Sequence, residues 1–194
     1  QALLLDRLDG IEASLRGDNT FVVKQFWRDT QDGPLPQTEN DCRDLLLDKL
    51  SARLAPLNVL VEREKSEARD KRADMSAEIM QAGKQIALPI EVKKDNHDKL
   101  WTAWNEQLIQ LYAIDPAASG YGLYLVLWFN VRPQAFVSGA KSKGFAHLKP
   151  RASPEGIKPT SAQVLQRMIE ERIPTQDRSR LAVKVMDMSL PSQP

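Results

Sequence analysis

The feature that most constrains the fold is an apolar run of seven residues, Leu123 to Phe129 (LYLVLWF). A strand made entirely of apolar residues must be buried on both faces, and such strands lie at the centre of sheets that helices cover on both sides. The run is too short to cross a bilayer, which takes about 20 apolar residues in a helix. It therefore predicts the central strand of an α/β protein.

A predicted β-hairpin precedes this run. Residues 72–80 and 86–93 form two strands around the turn at 81–84, where Gly83 supplies the permissive backbone of a tight turn. Side chains alternate along a strand, so Glu91 and Lys93 share one face while Ile90 and Val92 share the other. Pro89 cannot donate to the ladder, which weakens the prediction at that position.

The simplest register of this hairpin places Asp74 directly opposite Glu91 on one face. Cβ atoms of such cross-strand partners lie roughly 4.5–5.5 Å apart, and two like charges at that separation are destabilising unless a cation joins them. The hairpin therefore predicts two carboxylates and one amine, that of Lys93, at a single site.

The remaining elements follow from periodicity and breakers. Thr38 is an N-cap with Asp41 three residues later, and apolar residues recur every four positions after it. Asp95 or Asn96 is the expected cap of a later helix. Helices are predicted over 3–16, 38–54, 95–112 and 160–172, and further strands over 59–61 and 181–188. From position 34 onward this order predicts an α/β fold with an αβββαβ core and a mixed central sheet flanked by helices.

Composition excludes several classes of protein. The net charge of the 194 residues is +1, so any nucleic-acid-binding surface must be local, and the single cysteine, Cys42, excludes an internal disulfide and suits a reducing compartment. No segment has the pattern of a signal peptide or a membrane span, so we expect a cytoplasmic protein with no membrane partner. The chain begins with Gln1 rather than Met, which suggests part of a larger polypeptide.

The residues Asp74…Glu91-Val92-Lys93, set in this order of elements, resemble the PD-(D/E)XK nuclease superfamily, whose fold is called restriction-endonuclease-like. The resemblance covers roughly residues 38–129. Glu39 matches the glutamate that the first helix of the family often contributes, and Gln107 matches the polar residue of its second helix. Two departures are Ala73 where the family has proline, and a spacing from Gln107 to Tyr112 that is one residue longer than the Gln-x-x-x-Tyr signature of RecB-like members.

The resemblance implies a metal-dependent nuclease that hydrolyses phosphodiester bonds in residues 34–194. Residues 1–33 are then a helical extension or a linker from a larger protein. Oxygen ligands select a hard ion, Mg²⁺ or Mn²⁺. Asp74, Glu91 and Glu39 are the expected metal ligands, and Asp74, Glu91, Lys93 and Gln107 the expected catalytic residues.

The expected substrate is DNA, and nothing in the sequence excludes RNA. The expected context is an effector domain of a larger bacterial protein of the defence type, and a homo-oligomer is compatible with it. Between residues 132 and 159 six basic residues face one acid, a local excess that suits contact with phosphates. The expected nucleic-acid-binding residues are Lys94, Lys99, Lys141, Lys143, Lys149 and Arg151.

Simpler interpretations remain open from the sequence alone. Asp74, Glu91 and Lys93 also suit a salt-bridge network on a solvated sheet face. Glu39 also suits an acid placed at a helix N-terminus for its dipole. The charges of residues 132–159 also suit a solvated loop, and the whole domain also suits a non-catalytic module that binds nucleic acid or protein.

Overall fold

A computed structural model describes residues 1–17, 22–31, 33–63, 73–131 and 147–191 of the chain. Its centre is a five-stranded sheet with helices on both faces, which confirms the predicted mixed α/β class. The longer helices are α1 (Ala2–Arg16), α2 (Glu39–Leu54), a π-helix (Trp104–Tyr112) and α3 (Ala162–Arg172), and two short 3-10 helices span Val23–Phe26 and Ala55–Leu57. The strands are β1 (Trp27–Thr30), β2 (Gly33–Pro36), β3 (Leu60–Arg63), β4 (Met75–Gln81), β5 (Lys84–Lys94), β6 (Gly122–Trp128) and β7 (Leu181–Asp187).

The sheet is mixed. Its strand order is β3-β4-β5-β6-β7; the first three strands are antiparallel and β5, β6 and β7 are parallel. β6 lies between two parallel neighbours and all of its residues are buried, as its continuous apolar sequence requires. The first two strands of the chain pair separately as a short hairpin, β1–β2.

The β4–β5 hairpin has the predicted register. Gln81 pairs with Lys84 and Met75 pairs with Ile90, and the turn residues Ala82 and Gly83 both have positive φ, 50° and 76°. Two central residues of positive φ give the turn whose twist matches antiparallel strands. The ladder ends at Met75, three residues later than predicted, so Asp74 lies one step beyond the last pair.

Helix α2 forms where its cap and its apolar stripe predict it. The Thr38 hydroxyl accepts a hydrogen bond from the Asp41 backbone N–H at 3.2 Å, which satisfies one of the free donors of the first turn. The residues buried along the helix are Cys42, Leu46, Leu50 and Leu54, so the four-residue repeat is the face that packs on the sheet.

The prediction of an α-helix over residues 95–112 was wrong about where the helix starts and about its type. Residues 98–102 form turns, and from Trp104 the segment is a π-helix, in which the Ala113 N–H donates to the Leu108 carbonyl five residues earlier, at 2.8 Å. Asp95 does not cap it. The Asp95 carboxylate is buried and accepts hydrogen bonds from the backbone N–H groups of Phe129 and Asn130, at 3.0 and 2.8 Å. Its role is therefore to join the ends of β5 and β6.

Two apolar layers cover the sheet. Helices α1 and α2 pack on the face that carries Ile90 and Val92, whereas the π-helix and α3 pack on the face that carries Tyr124 and Val126. Glu91 and Lys93 alternate with Ile90 and Val92, so they lie on the second face. The N-terminal helix shares its apolar layer with α2 through Leu8, Ile11 and Leu15 among others.

Across the described ranges, no helix combines the length and the apolar character needed to cross a membrane.

Candidate functional site

The candidate site forms where three elements meet: the end of β5, the residue before β4 and the first turn of α2. Asp74 is held beside β5 because its Oδ2 accepts a hydrogen bond from the Val92 backbone N–H at 2.8 Å. This contact lies just beyond the last backbone pair of the hairpin, Met75 with Ile90, and uses a side chain in place of a backbone carbonyl. The local sequence thus places the Asp74 carboxylate next to Glu91 and Lys93.

The Lys93 amine lies among three carboxylates. It is hydrogen-bonded to Glu91 Oε1 and lies 3.6 Å from both Asp74 Oδ2 and Glu39 Oε1. It also donates to the Val92 carbonyl at 2.9 Å. Glu91 is 1% exposed and Lys93 5%, so these charges are not a solvated surface network.

Glu39 reaches the site from the first turn of α2. Besides its contact with Lys93, its Oε2 accepts a hydrogen bond from the Lys94 backbone N–H at 3.1 Å. An acid in the first turn of a helix also interacts favourably with the helix dipole, and Glu39 combines this position with a place in the carboxylate cluster.

Burial and crowding of like charges set the protonation of the site. Burial raises the pKa of Glu91 to about 7, and the Asp74 carboxylate adds to the rise, against a lowering by Lys93. Burial alone would lower the pKa of Lys93, but Glu91, Asp74 and Glu39 outweigh it and the net shift is upward. Lys93 is therefore a protonated amine at neutral pH, and one of its carboxylate partners holds its proton unusually tightly.

Gln107 and Tyr112 approach the site from the π-helix. Burial, with smaller contributions from Glu91 and Asp74, raises the pKa of the Tyr112 hydroxyl to about 12, against a lowering by Lys93 and by a hydrogen bond with the Gln107 side chain. The Gln107 Oε1 atom is buried and accepts no hydrogen bond from the described residues. The Oε1 atom of Gln107 can thus accept a hydrogen bond from a ligand of the cluster.

Tyr112 is a site residue that the sequence interpretation missed. The signal was present as the spacing of five from Gln107, which departs from the four expected of two residues on one face of an α-helix. In a π-helix the hydrogen bonds run from i to i+5, so residues five apart take neighbouring positions on successive turns. The five-residue spacing from Gln107 to Tyr112 therefore places both side chains on one side of the π-helix.

Arg43 is the second residue missed. Its guanidinium Nη1 lies 3.5 Å from Asp74 Oδ1, on the side of that carboxylate opposite to Val92 and Lys93. The available signal was its position one helical turn after Glu39, which places both side chains on one face of α2.

The predicted nucleic-acid-binding residues are placed differently from one another. Lys94 lies on the face opposite to Lys93, where its amine donates to the Gln37 carbonyl at 2.8 Å and lies 5.5 Å from the Phe129 ring centroid. Lys99 is exposed, and its Nζ lies 3.5 Å from Glu106 Oε2. Lys149 and Arg151 are exposed. Lys141 and Lys143 lie outside the described residues.

The segment that carries Lys149 and Arg151 is fixed beside the end of β5. The Arg151 backbone N–H donates to the Asp95 carbonyl at 2.7 Å, and the Asn96 side chain donates to the His147 carbonyl at 3.2 Å. Asp95 is two residues from Lys93, so these contacts attach the basic segment to the strand that carries the site.

The donor set suits a hard cation in its chemistry. Three carboxylates and the Val92 carbonyl surround one ammonium, and oxygen donors of this kind are those that Mg²⁺ and Mn²⁺ prefer. The side chains are spread around the Lys93 amine, however. In the described part of the chain, no group of three or more His, Cys, Asp or Glu side chains is placed to hold a metal ion.

Fold and site together define a mixed α/β protein with a buried carboxylate–lysine cluster at the end of a strand. The chain belongs to the family described as a domain of unknown function, DUF8371, whose model matches residues 18–131. That range contains all the residues of the cluster and excludes Lys149 and Arg151. No curated protein and no solved structure matches this chain.

Proposed function

We propose that this protein is a metal-dependent nuclease of the restriction-endonuclease-like type, with Asp74, Glu91 and Lys93 at its centre. The observation that carries the proposal is the burial of Glu91 at 1% exposure beside Asp74, with the Lys93 amine between them and Glu39. Like charges held together in a buried place destabilise a fold and are typical of sites that bind a cation or move a proton.

The charge of the cluster favours a divalent cation. Three carboxylates face the two cations Lys93 and Arg43, so the fully ionised group has an excess negative charge. Asp74, Glu91 and the Val92 carbonyl would hold Mg²⁺ or Mn²⁺, with Glu39 as a further ligand. When bound, such an ion polarises a phosphoryl oxygen and lowers the pKa of a water molecule.

The side chains of the cluster have separate roles in this proposal. Lys93 stays protonated, so it acts as a hydrogen-bond donor that orients the attacking water or stabilises charge developing on a phosphoryl oxygen. Gln107, whose Oε1 accepts no hydrogen bond from the described residues, can accept one from the same water. Tyr112 stays a neutral hydroxyl, which positions Gln107.

The proposed substrate is nucleic acid, most directly DNA. The exposed Lys149 and Arg151 are fixed beside the strand that carries the cluster, and basic side chains next to such a site provide phosphate contacts. The effector role within a larger bacterial polypeptide, of the defence type, is part of this proposal and rests on the resemblance alone.

Plasmid DNA incubated with the purified chain and Mg²⁺ tests the proposal. We expect cleavage, and we expect Asp74→Asn, Glu91→Gln and Lys93→Met each to reduce its rate by at least about 100-fold, the usual effect of losing a group that stabilises the transition state. Glu106→Gln, which removes an exposed acid of the π-helix, serves as the matched control. Equal cleavage by the three variants and the control would refute the assignment of the site.

A second candidate function is a non-catalytic module that binds nucleic acid or protein. It is favoured by the position of the Lys93 amine, which balances part of the carboxylate charge without a metal, and by the lack of a ready-made metal group among the described residues. This function predicts salt-sensitive binding through Lys149 and Arg151 with no turnover in Mg²⁺ or Mn²⁺. The same plasmid assay, with a binding measurement beside it, separates the two functions.

A further inference from the structure

Arg43 is a half-buried cation that forms two long ion pairs and no hydrogen bond with the described residues. Its side chain is 15% exposed, and it lies 3.5 Å from Asp74 through Nη1 and 3.5 Å from Asp44 through Nε. Both distances exceed the 2.7–3.2 Å that is typical of N–H···O hydrogen bonds. Nε is buried and has no hydrogen-bond partner among the described residues.

A purely structural role does not explain this arrangement. A guanidinium has five N–H donors in a planar fork, and a structural arginine normally places two of them on one carboxylate. Asp44 lies at the same distance from Arg43 as Asp74 does, and its Oδ2 forms an ion pair with Arg63 of β3 instead. The guanidinium of Arg43 is thus held between two carboxylates, and its donors form no hydrogen bond with the part of the chain that the structure describes.

The position of Arg43 connects these donors to the carboxylate cluster. Asp74 lies between them: Oδ2 faces Val92 N and Lys93, and Oδ1 faces Arg43. An anion that contacts Lys93 is therefore separated from a second cation, Arg43, only by the carboxylate of Asp74. The fork of an arginine matches the oxygens of a phosphate as well as those of a carboxylate, so a phosphodiester can use the donors that Asp74 and Asp44 leave open.

We propose that Arg43 binds a phosphate oxygen of the nucleic-acid backbone next to the scissile position, while its contact with Asp74 keeps that carboxylate turned toward Lys93. This rests on the proposed function, because it takes the ligand of the cluster to be a phosphodiester. It adds a substrate-binding residue to the site residue that α2 already contributes, Glu39.

The test measures binding rather than cleavage. Affinity for a fluorescein-labelled duplex DNA is measured by fluorescence anisotropy over a series of salt concentrations, in EDTA, which prevents turnover. For Arg43→Met we expect binding about 10- to 100-fold weaker, the effect of losing one charged hydrogen bond, and a slope of log K against log salt reduced by about one. Arg53→Met is the control, since it removes an exposed arginine of the same helix, bonded to Ser14.

The outcomes separate this proposal from the proposed function. If Arg43→Met binds DNA with the affinity and the salt slope of the wild-type chain, the proposed role of Arg43 is overturned and the nuclease proposal stands. A wild-type chain that neither binds nor cleaves DNA overturns both. If Arg43→Met does not fold by circular dichroism, Arg43→Lys gives the answer: it keeps the charge and loses the fork, so we expect an unchanged salt slope and binding about 3- to 10-fold weaker, and unchanged affinity overturns the proposal.

Discussion

Replacing Glu91 by glutamine should stabilise the fold, although Glu91 is buried and hydrogen-bonded to Lys93. Its pKa is raised from 4.5 to about 7 in the folded chain, so between these values the folded state keeps a proton that the unfolded state releases. Stability therefore falls as pH rises through this window, and above it the ionised Glu91 remains a net cost. Glutamine has the shape of the acid without the charge.

The size of the effect follows from the same shift. A rise from 4.5 to about 7 corresponds to about 3 kcal/mol at a pH above both values. Part of the gain is lost because Lys93 donates to an amide oxygen instead of a carboxylate, while Asp74 and Glu39 remain as its partners. We expect Glu91→Gln to stabilise the chain by about 1–3 kcal/mol at pH 8.5 and to leave it nearly unchanged at pH 5.

Urea unfolding in EDTA at the two pH values measures this directly, with Glu106→Gln as the control. The physical reasoning would fail if Glu91→Gln were destabilised by about 3–5 kcal/mol at both pH values, which is the behaviour of a structural ion pair that has lost one partner. Stabilisation at pH 8.5 together with loss of plasmid cleavage would show that Glu91 is maintained at the expense of stability, which is typical of functional residues.

Three further predictions concern the scaffold. Burial raises the pKa of Asp95 from 3.8 to about 7, so the stability of the fold also falls as pH rises through that window. Asp95→Asn keeps an acceptor for the two backbone N–H groups and should stabilise the chain by at most about 4 kcal/mol at pH 8. In urea unfolding it should also remove part of the pH dependence of stability. Thr38→Ala removes the cap of α2 and should cost about 1 kcal/mol in the same assay, with Thr38→Ser restoring it. Gly122→Ala places a Cβ 2.8 Å from Leu108 Cγ and should destabilise the fold by about 1–3 kcal/mol, measured as a lower melting temperature. An equal or higher melting temperature would show that the π-helix shifts easily to make room for the added methyl group.

The sequence by itself determined the local parts of the fold and of the site. The apolar run of β6, the repeat of Cys42, Leu46, Leu50 and Leu54, and the two-residue turn at Ala82-Gly83 each specify their element through neighbours in the chain. The hairpin register follows from that turn, because strand pairing advances one residue at a time from it. The closeness of Asp74, Glu91 and Lys93 is therefore already encoded in about 20 consecutive residues.

Only the tertiary structure decided what surrounds that hairpin. Glu39 and Arg43 reach the cluster because α2 packs across the sheet with its first turn at the end of β5, and no local rule fixes where a helix crosses a sheet. Asp95 has the sequence context of a helix cap, yet the parallel pairing of β5 with β6 brings Phe129 and Asn130 N–H groups to it instead. The π-helix likewise brings Gln107 and Tyr112 together, whereas an α-helix would separate two side chains that are five residues apart. These arrangements depend on contacts between distant parts of the chain, for which periodicity and propensity carry no information.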